Sequence, residues 1–155
     1  MVYIPTAQLA QSGFATQAAR YGCGPADVVG AGSFTTATWT YTSGNVLLNL
    51  SVPTAPTVIR AGHYLVHIRM FLDSAQQAAS YMALQLTADG VDWGFADQAP
   101  MFAPAVLGSV PMNMDCPMVL PAGSDIVLLK ANGGASPATL NADATIFYYG
   151  PSTLI

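Results

Sequence analysis

Charge is the first thing missing from this sequence. Asp, Glu, Lys and Arg make up 8% of its 155 residues, against roughly 25% in an average soluble protein. Glutamate is absent altogether, so the eight acidic residues are all Asp, and the four basic ones are Arg20, Arg60, Arg69 and Lys130. Glu, Lys and Arg normally build the solvent face of a helix, whereas Asp, Asn, Gly and Pro belong to turns, so this composition argues against long helices. A net charge of −4 and a pI near 4.5 leave no basic stripe, which argues against nucleic acid as a partner.

Long apolar runs are missing too. A membrane span needs about 20 consecutive apolar residues, and the longest candidate, residues 63–72, is broken by His63, His67 and Arg69. No membrane insertion is expected. The first eleven residues hold no Lys or Arg and include Pro5, which does not fit a secretory leader, so the N-terminus is expected to be mature. Two cysteines, Cys23 and Cys116, fix neither a pairing nor a compartment and are expected as free, buried thiols.

The residues of catalysis are equally scarce. No Gly-x-Ser-x-Gly elbow, phosphate loop or Cys-x-x-Cys pair occurs. Only His63 and His67 supply imidazoles. On one strand they share a face about 13 Å apart, too far to hold one metal, although a symmetry axis could gather three copies of either. The plain reading makes each a polar member of a half-buried face. Asp89, Asp92 and Asp97 lie close together in sequence, but their spacing fits no calcium loop, and a hairpin turn accounts for Asp89. The chain is expected not to be an enzyme and to need no cofactor or metal.

What is present is apolar and turn-rich: 52% hydrophobic residues, 14 Gly and 11 Pro, with a positive mean hydropathy. A solitary domain of this makeup would expose apolar patches large enough to drive association, so a subunit of a larger assembly is expected. Residues 1–33, rich in Ala, Gln and Gly, are expected as an N-terminal arm. The apolar spacing at 6–19 is thin for a helix, and a terminal strand of the same sheet would fit as well. Residues 34–155 are expected as one all-β domain. Strands are expected over 34–42, 46–52, 57–59, 63–72, 80–87, 91–95, 112–120, 126–130 and 142–149, with Asp89-Gly90 as a hairpin turn and 96–110 as a long crossover loop. Alternation over 63–72 assigns Tyr64, Val66, Ile68, Met70 and Leu72 to the core. About 8–10 strands at this spacing spell an antiparallel jelly-roll sandwich with an extended N-terminal arm.

Three segments then fall into a familiar order. Ala61-Gly62-His63-Tyr64-Leu65-Val66 resembles the Gly-x-Tyr strand of the trimeric jelly roll of the C1q and TNF superfamily. Leu120-Pro121-Ala122-Gly123-Ser124-Asp125-Ile126-Val127-Leu128 is similar to its Gly-Asp turn and strand, with Ser124 inserted. Ala144-Thr145-Ile146-Phe147-Tyr148-Tyr149-Gly150 resembles its terminal aromatic strand. The resemblance spans residues 61–150 and implies a homotrimer. Similar domains occur in bacteriophage virions as head fibres, decoration proteins and fibre tips, and the absence of a collagen-like stalk points away from complement. It therefore implies a virion structural protein on a capsid surface or fibre. Its partners would be copies of itself and a major capsid protein or other virion component. The alternative is a fibre tip that binds a receptor or host surface glycan. Exposed aromatics make such contacts, and Trp93, Tyr81 and Trp39 are the candidates. The Met-rich stretch of Met101, Met112, Met114 and Met118 is either adaptable contact surface or ordinary filler.

Overall fold

The computed structural model describes residues 15–72, 80–101, 112–133 and 137–151, with the backbone alone at 72, 80, 81 and 95–101. Among these residues there is no helix, and hence none long and apolar enough to cross a membrane. The described residues form twelve strands: β1 (Gln17–Cys23), β2 (Asp27–Val29), β3 (Ser33–Thr36), β4 (Trp39–Gly44), β5 (Leu48–Asn49), β6 (Thr57–Val58), β7 (Gly62–Leu72), β8 (Ser80–Ala88), β9 (Val91–Met101), β10 (Met112–Leu120), β11 (Ile126–Asn132) and β12 (Ala138–Gly150). They build two facing antiparallel sheets. The first runs β10-β7-β12-β1-β4, with β2 also on β12, and the second runs β3-β11-β8-β9; β5 and β6 form a small ribbon.

Strict alternation makes the sandwich. β10, β11 and β12 each switch residue by residue between buried and more open positions. Because successive side chains on a strand point to opposite faces, one set from each sheet meets in a shared core. Val66, Ile68, Met70 and Ile146 of the first sheet thus close over Met82, Leu84, Leu86 and Leu128 of the second. The expected core face of the 63–72 strand is buried at Tyr64, Val66, Ile68 and Met70. Asp89 and Gly90 turn the β8–β9 hairpin with φ of 49° and 76°, the doubly positive pair that a two-residue loop favours and Asp-Gly supplies.

The structure departs from the sequence reading in several places. Gln17–Cys23, placed in the N-terminal arm, is an interior strand of the first sheet, held between β12 and β4. Its inward Ala19, Tyr21 and Cys23 are buried, so the domain begins well before Phe34. The 34–42 strand is two: the chain crosses from β3 in the second sheet to β4 in the first at buried Ala37. β9 runs on through Pro100 into the stretch read as a crossover loop. It is an edge strand, where a missing N–H costs least. β12 begins at Ala138 rather than Ala142.

Lys130 is the main surprise of the core. Its side chain, fully buried, donates to the carbonyls of Gly24 (2.6 Å) and Leu140 (2.9 Å) and pairs with the Asp27 carboxylate at 2.7 Å. Two carbonyls accept from the ammonium and a carboxylate balances its charge, which is the condition for burying one. Burial lowers the pKa of this lysine, and Asp27 works against that shift.

Candidate subunit interface

The outward face of the first sheet is where the candidate residues gather. Directly opposed residues on neighbouring strands share a face, so the register reads out rows of side chains across β10, β7, β12 and β1. One row is Pro117, Leu65, Phe147 and Ala18; the next is Asp115, His67, Thr145 and Arg20; the third is Asn113, Arg69, Asp143 and Gly22. The first row is apolar. Beyond it, Val119 is 48% exposed and Trp93 38% exposed.

Between them lies a groove of about 300 Å³ lined by His63, Leu65, Trp93, Pro117, Val119 and Tyr149. Its floor is fixed from behind. Tyr64 and Tyr148 lie with ring centroids 5.0 Å apart, the Tyr64 hydroxyl donates to the Arg60 carbonyl, and the Tyr148 hydroxyl donates to that of Ala61 at 3.1 Å. Burial pushes the Tyr64 phenol up to about 12, helped by Tyr148 and opposed by the bond to Arg60. These are structural tyrosines, rigidifying the approach to β7.

The two lower rows are ionic. His67 Nδ1 lies 2.6 Å from Asp115 Oδ1, so His67 is paired across the β7–β10 ladder. Arg69 lies over the Phe71 ring, 5.6 Å from its centroid. Arg20 is exposed and has no ion pair among the described residues. With Asp143, Thr40 and Phe71 it lines a broad basin of about 540 Å³ at the opposite end of the face from Trp93.

The aromatic candidates divide. Trp39 is 1% exposed and packs edge-on against Tyr21, so it is core and not a contact residue; Tyr41, two residues on and on the same side of β4, also packs on Tyr21 but is 46% exposed. Trp93 stands at a bulge in β9 on the groove rim. Tyr81 lies on β8, and its side chain is outside the described residues. Of the aspartates, Asp89 and Asp125 bond each other's backbone N–H (2.7 and 3.1 Å). Asp92 accepts from Gln85 at 2.8 Å, and the Asp97 side chain is outside the described residues. Each of the first two already has a structural partner. Cys23 and Cys116 are free and buried, and burial raises both thiols.

Sequence reasoning missed Leu65, Pro117, Val119, Phe147 and Arg20. The available signal was that the strands at 63–72 and 142–149 are apolar on both faces at one end, which a solvated sheet does not require.

No protein-family model and no curated protein matches the sequence. Solved structures do match the fold. PRD1 vertex protein P5 superposes with a TM-score of 0.59 at 11% identity, covering 87% of this chain and 98% of the other. Eiger TNF from S. frugiperda gives 0.56 at 12% identity, covering 88% and 94%. The globular domain of zebrafish complement 1qA gives 0.55 at 12%, covering 87% and 98%. The two-sheet topology and these superpositions together show that this domain has the jelly-roll fold of these proteins.

Proposed function

We propose that this chain is a virion structural protein without enzymatic activity, a homotrimeric jelly roll that decorates or cements a capsid surface. The observation that carries the reading is a pair of apolar faces set back to back on one sandwich. The first is the groove and apolar row of the first sheet. The second is the outward face of β3, β11 and β8, formed by Phe34, Thr36, Ala131, Leu129, Val127, Ala83, Gln85 and Thr87, with no ionic group among them. Phe34 there is 70% exposed and walls a groove of about 340 Å³ with Ala83, Gln85, Leu129 and Ala131. One face suits copies of the same chain and the other a capsid protein or other virion component, each seam held by apolar burial. The fold shared with a vertex protein supports the virion setting.

Sedimentation of the purified chain at micromolar concentration, paired with cryo-EM of the parent particle, tests this. Trimers in solution and density on the capsid shell are expected; a monodisperse monomer or density confined to the tail would overturn it. A second reading, a receptor-binding fibre tip, is favoured by Trp93 standing near the β8–β9 turn. Binding of the isolated protein to a glycan array, lost in Trp93→Ala, would select that reading.

A further inference from the structure

On the trimeric reading above, we propose that Asp115 and His67 of one subunit hold Arg20 of the next, so that each seam of the ring carries an ionic site that no single chain completes. The argument starts from one row of the first sheet. Asp115 stands on β10 at one margin, His67 beside it on β7, Thr145 on β12, and Arg20 on β1 toward the other margin. Three strand spacings, about 14 Å, separate Asp115 from Arg20, and Ser43 on β4 lies beyond Arg20 at the sheet's margin. The negative member of the row is Asp115, 64% exposed and already touching His67 at 2.6 Å. Its positive member is the exposed Arg20, unpaired among the described residues.

Symmetry does the rest. A closed ring of identical subunits joins one patch of each copy to a different patch of the next, here the β10 margin of one to the β1–β4 end of the neighbour's outward face. Rotation about an axis along the strands leaves every residue at its own height, so a row meets the same row of its neighbour. The apolar row of Pro117, Leu65, Phe147 and Ala18 then meets itself, and below it Asp115 comes to face Arg20. Opposite charges three strands apart in one row suit this head-to-tail contact.

In the row beneath, Arg69 lies over the Phe71 ring, and Asp143 stands on β12 between Arg69 and Gly22. The guanidinium offers a planar fork to the carboxylate, and His67 on the far side of Asp115 fixes that carboxylate in place. Apolar contact would supply the affinity, while the ionic site would set register and direction around the ring.

Charge reversal tests the pairing. Sedimentation of the full chain at low salt should show that Arg20→Asp and Asp115→Arg each raise the concentration needed for half-assembly by about tenfold or more. The combined variant should return to within a few-fold of the parent. The neutral changes Arg20→Gln and Asp115→Asn should weaken assembly less, and circular dichroism should show every variant folded, since both positions are exposed. In about 1 M salt, where the screening length is about 3 Å, the differences should shrink. A parent that assembles while either single reversal assembles equally well, or a combined variant no better than the worse single one, overturns the ionic site and leaves the trimer standing. A parent that never assembles overturns the trimer itself.

Discussion

Lys130 and Asp27 form an ion pair at 2.7 Å between the two sheets of the sandwich, the lysine side chain fully buried and the aspartate side chain 32% exposed. Gly24 closes the cradle: a Cβ there would lie 1.9 Å from Asp27 Oδ2 and 2.9 Å from Lys130 Nζ. The pair and the two carbonyl bonds tie the β1–β2 turn and β12 to the second sheet.

Removing either partner therefore has an unequal cost. Asp27→Ala leaves a buried ammonium with two carbonyls, and should cost about 2 kcal/mol, less than the roughly 3–5 kcal/mol of a fully buried pair because this carboxylate reaches water. Lys130→Ala also opens a void and orphans the Gly24 and Leu140 carbonyls, and should cost about 3–5 kcal/mol. Asp27→Ala combined with Lys130→Ala should cost less than the two single changes added together. Urea melts of the four proteins give the comparison, and strict additivity would show that the two groups do not interact.

Stability should fall in alkali, with a definite sign. Burial raises the Cys116 thiol from 9.0 to about 11 and the Tyr64 phenol from 10.0 to about 12. Each group then keeps its proton in the folded chain where the unfolded chain has lost it. The stability each contributes is whole below its unfolded pKa and is lost as pH rises through its folded one. The decline should begin near pH 9 with Cys116 and continue to about 12 with Tyr64. Lys130 runs the other way, because its lowered pKa is a penalty relieved as pH climbs toward 10.5. Urea midpoints measured over this range should lose the 9 to 11 portion in Cys116→Ala and the 10 to 12 portion in Tyr64→Phe. An unchanged slope in both variants would contradict the assignment.

Gly62 opens β7 at φ 153°, where a Cβ would sit 2.2 Å from the Gly150 carbonyl oxygen and 2.7 Å from the Tyr148 ring. The oxygen belongs to the backbone of β12 beside its bulge at Tyr148 and Gly150, so it cannot step aside as a side chain could. Gly62→Ala should cost roughly 2–3 kcal/mol. Gly90→Ala provides the control, because its Cβ would meet nothing within 4 Å and only its φ of 76° opposes it. A thermal melt in which Gly62→Ala is the milder of the two would refute the steric account.

Much of this fold was legible. Two-residue alternation marked β7 and β8, and Asp89-Gly90 marked its turn, because one buried face imposes that period. β1 was not legible, since Ala18, Ala19 and Gly22 carry little strand preference and gain their place from contacts with distant β12. Nor was Lys130, whose acceptor at Gly24 lies 106 residues away in the chain. The site suffered most: Trp39 and Trp93 are equally aromatic in sequence, and only their places in the fold, one packed on Tyr21 and the other at the β9 bulge, make one core and the other rim.

That difference between the tryptophans gives a direct probe of the seam. Phe147, half-buried in the middle of the apolar row, points away from the core, so Phe147→Arg should leave the sandwich folded and drive the assembly to monomers. Trp93 rims the adjoining groove, and subtracting the fluorescence of Trp93→Phe from that of the parent isolates it from buried Trp39. In the assembled protein the groove is covered, and acrylamide should quench Trp93 weakly. In Phe147→Arg the groove is open, and the quenching constant for Trp93 should rise about twofold while that of Trp39 stays low, as its 1% exposure requires. Equal quenching of Trp93 in the two proteins, with sedimentation confirming that one is assembled and the other is not, would move the seam off this face.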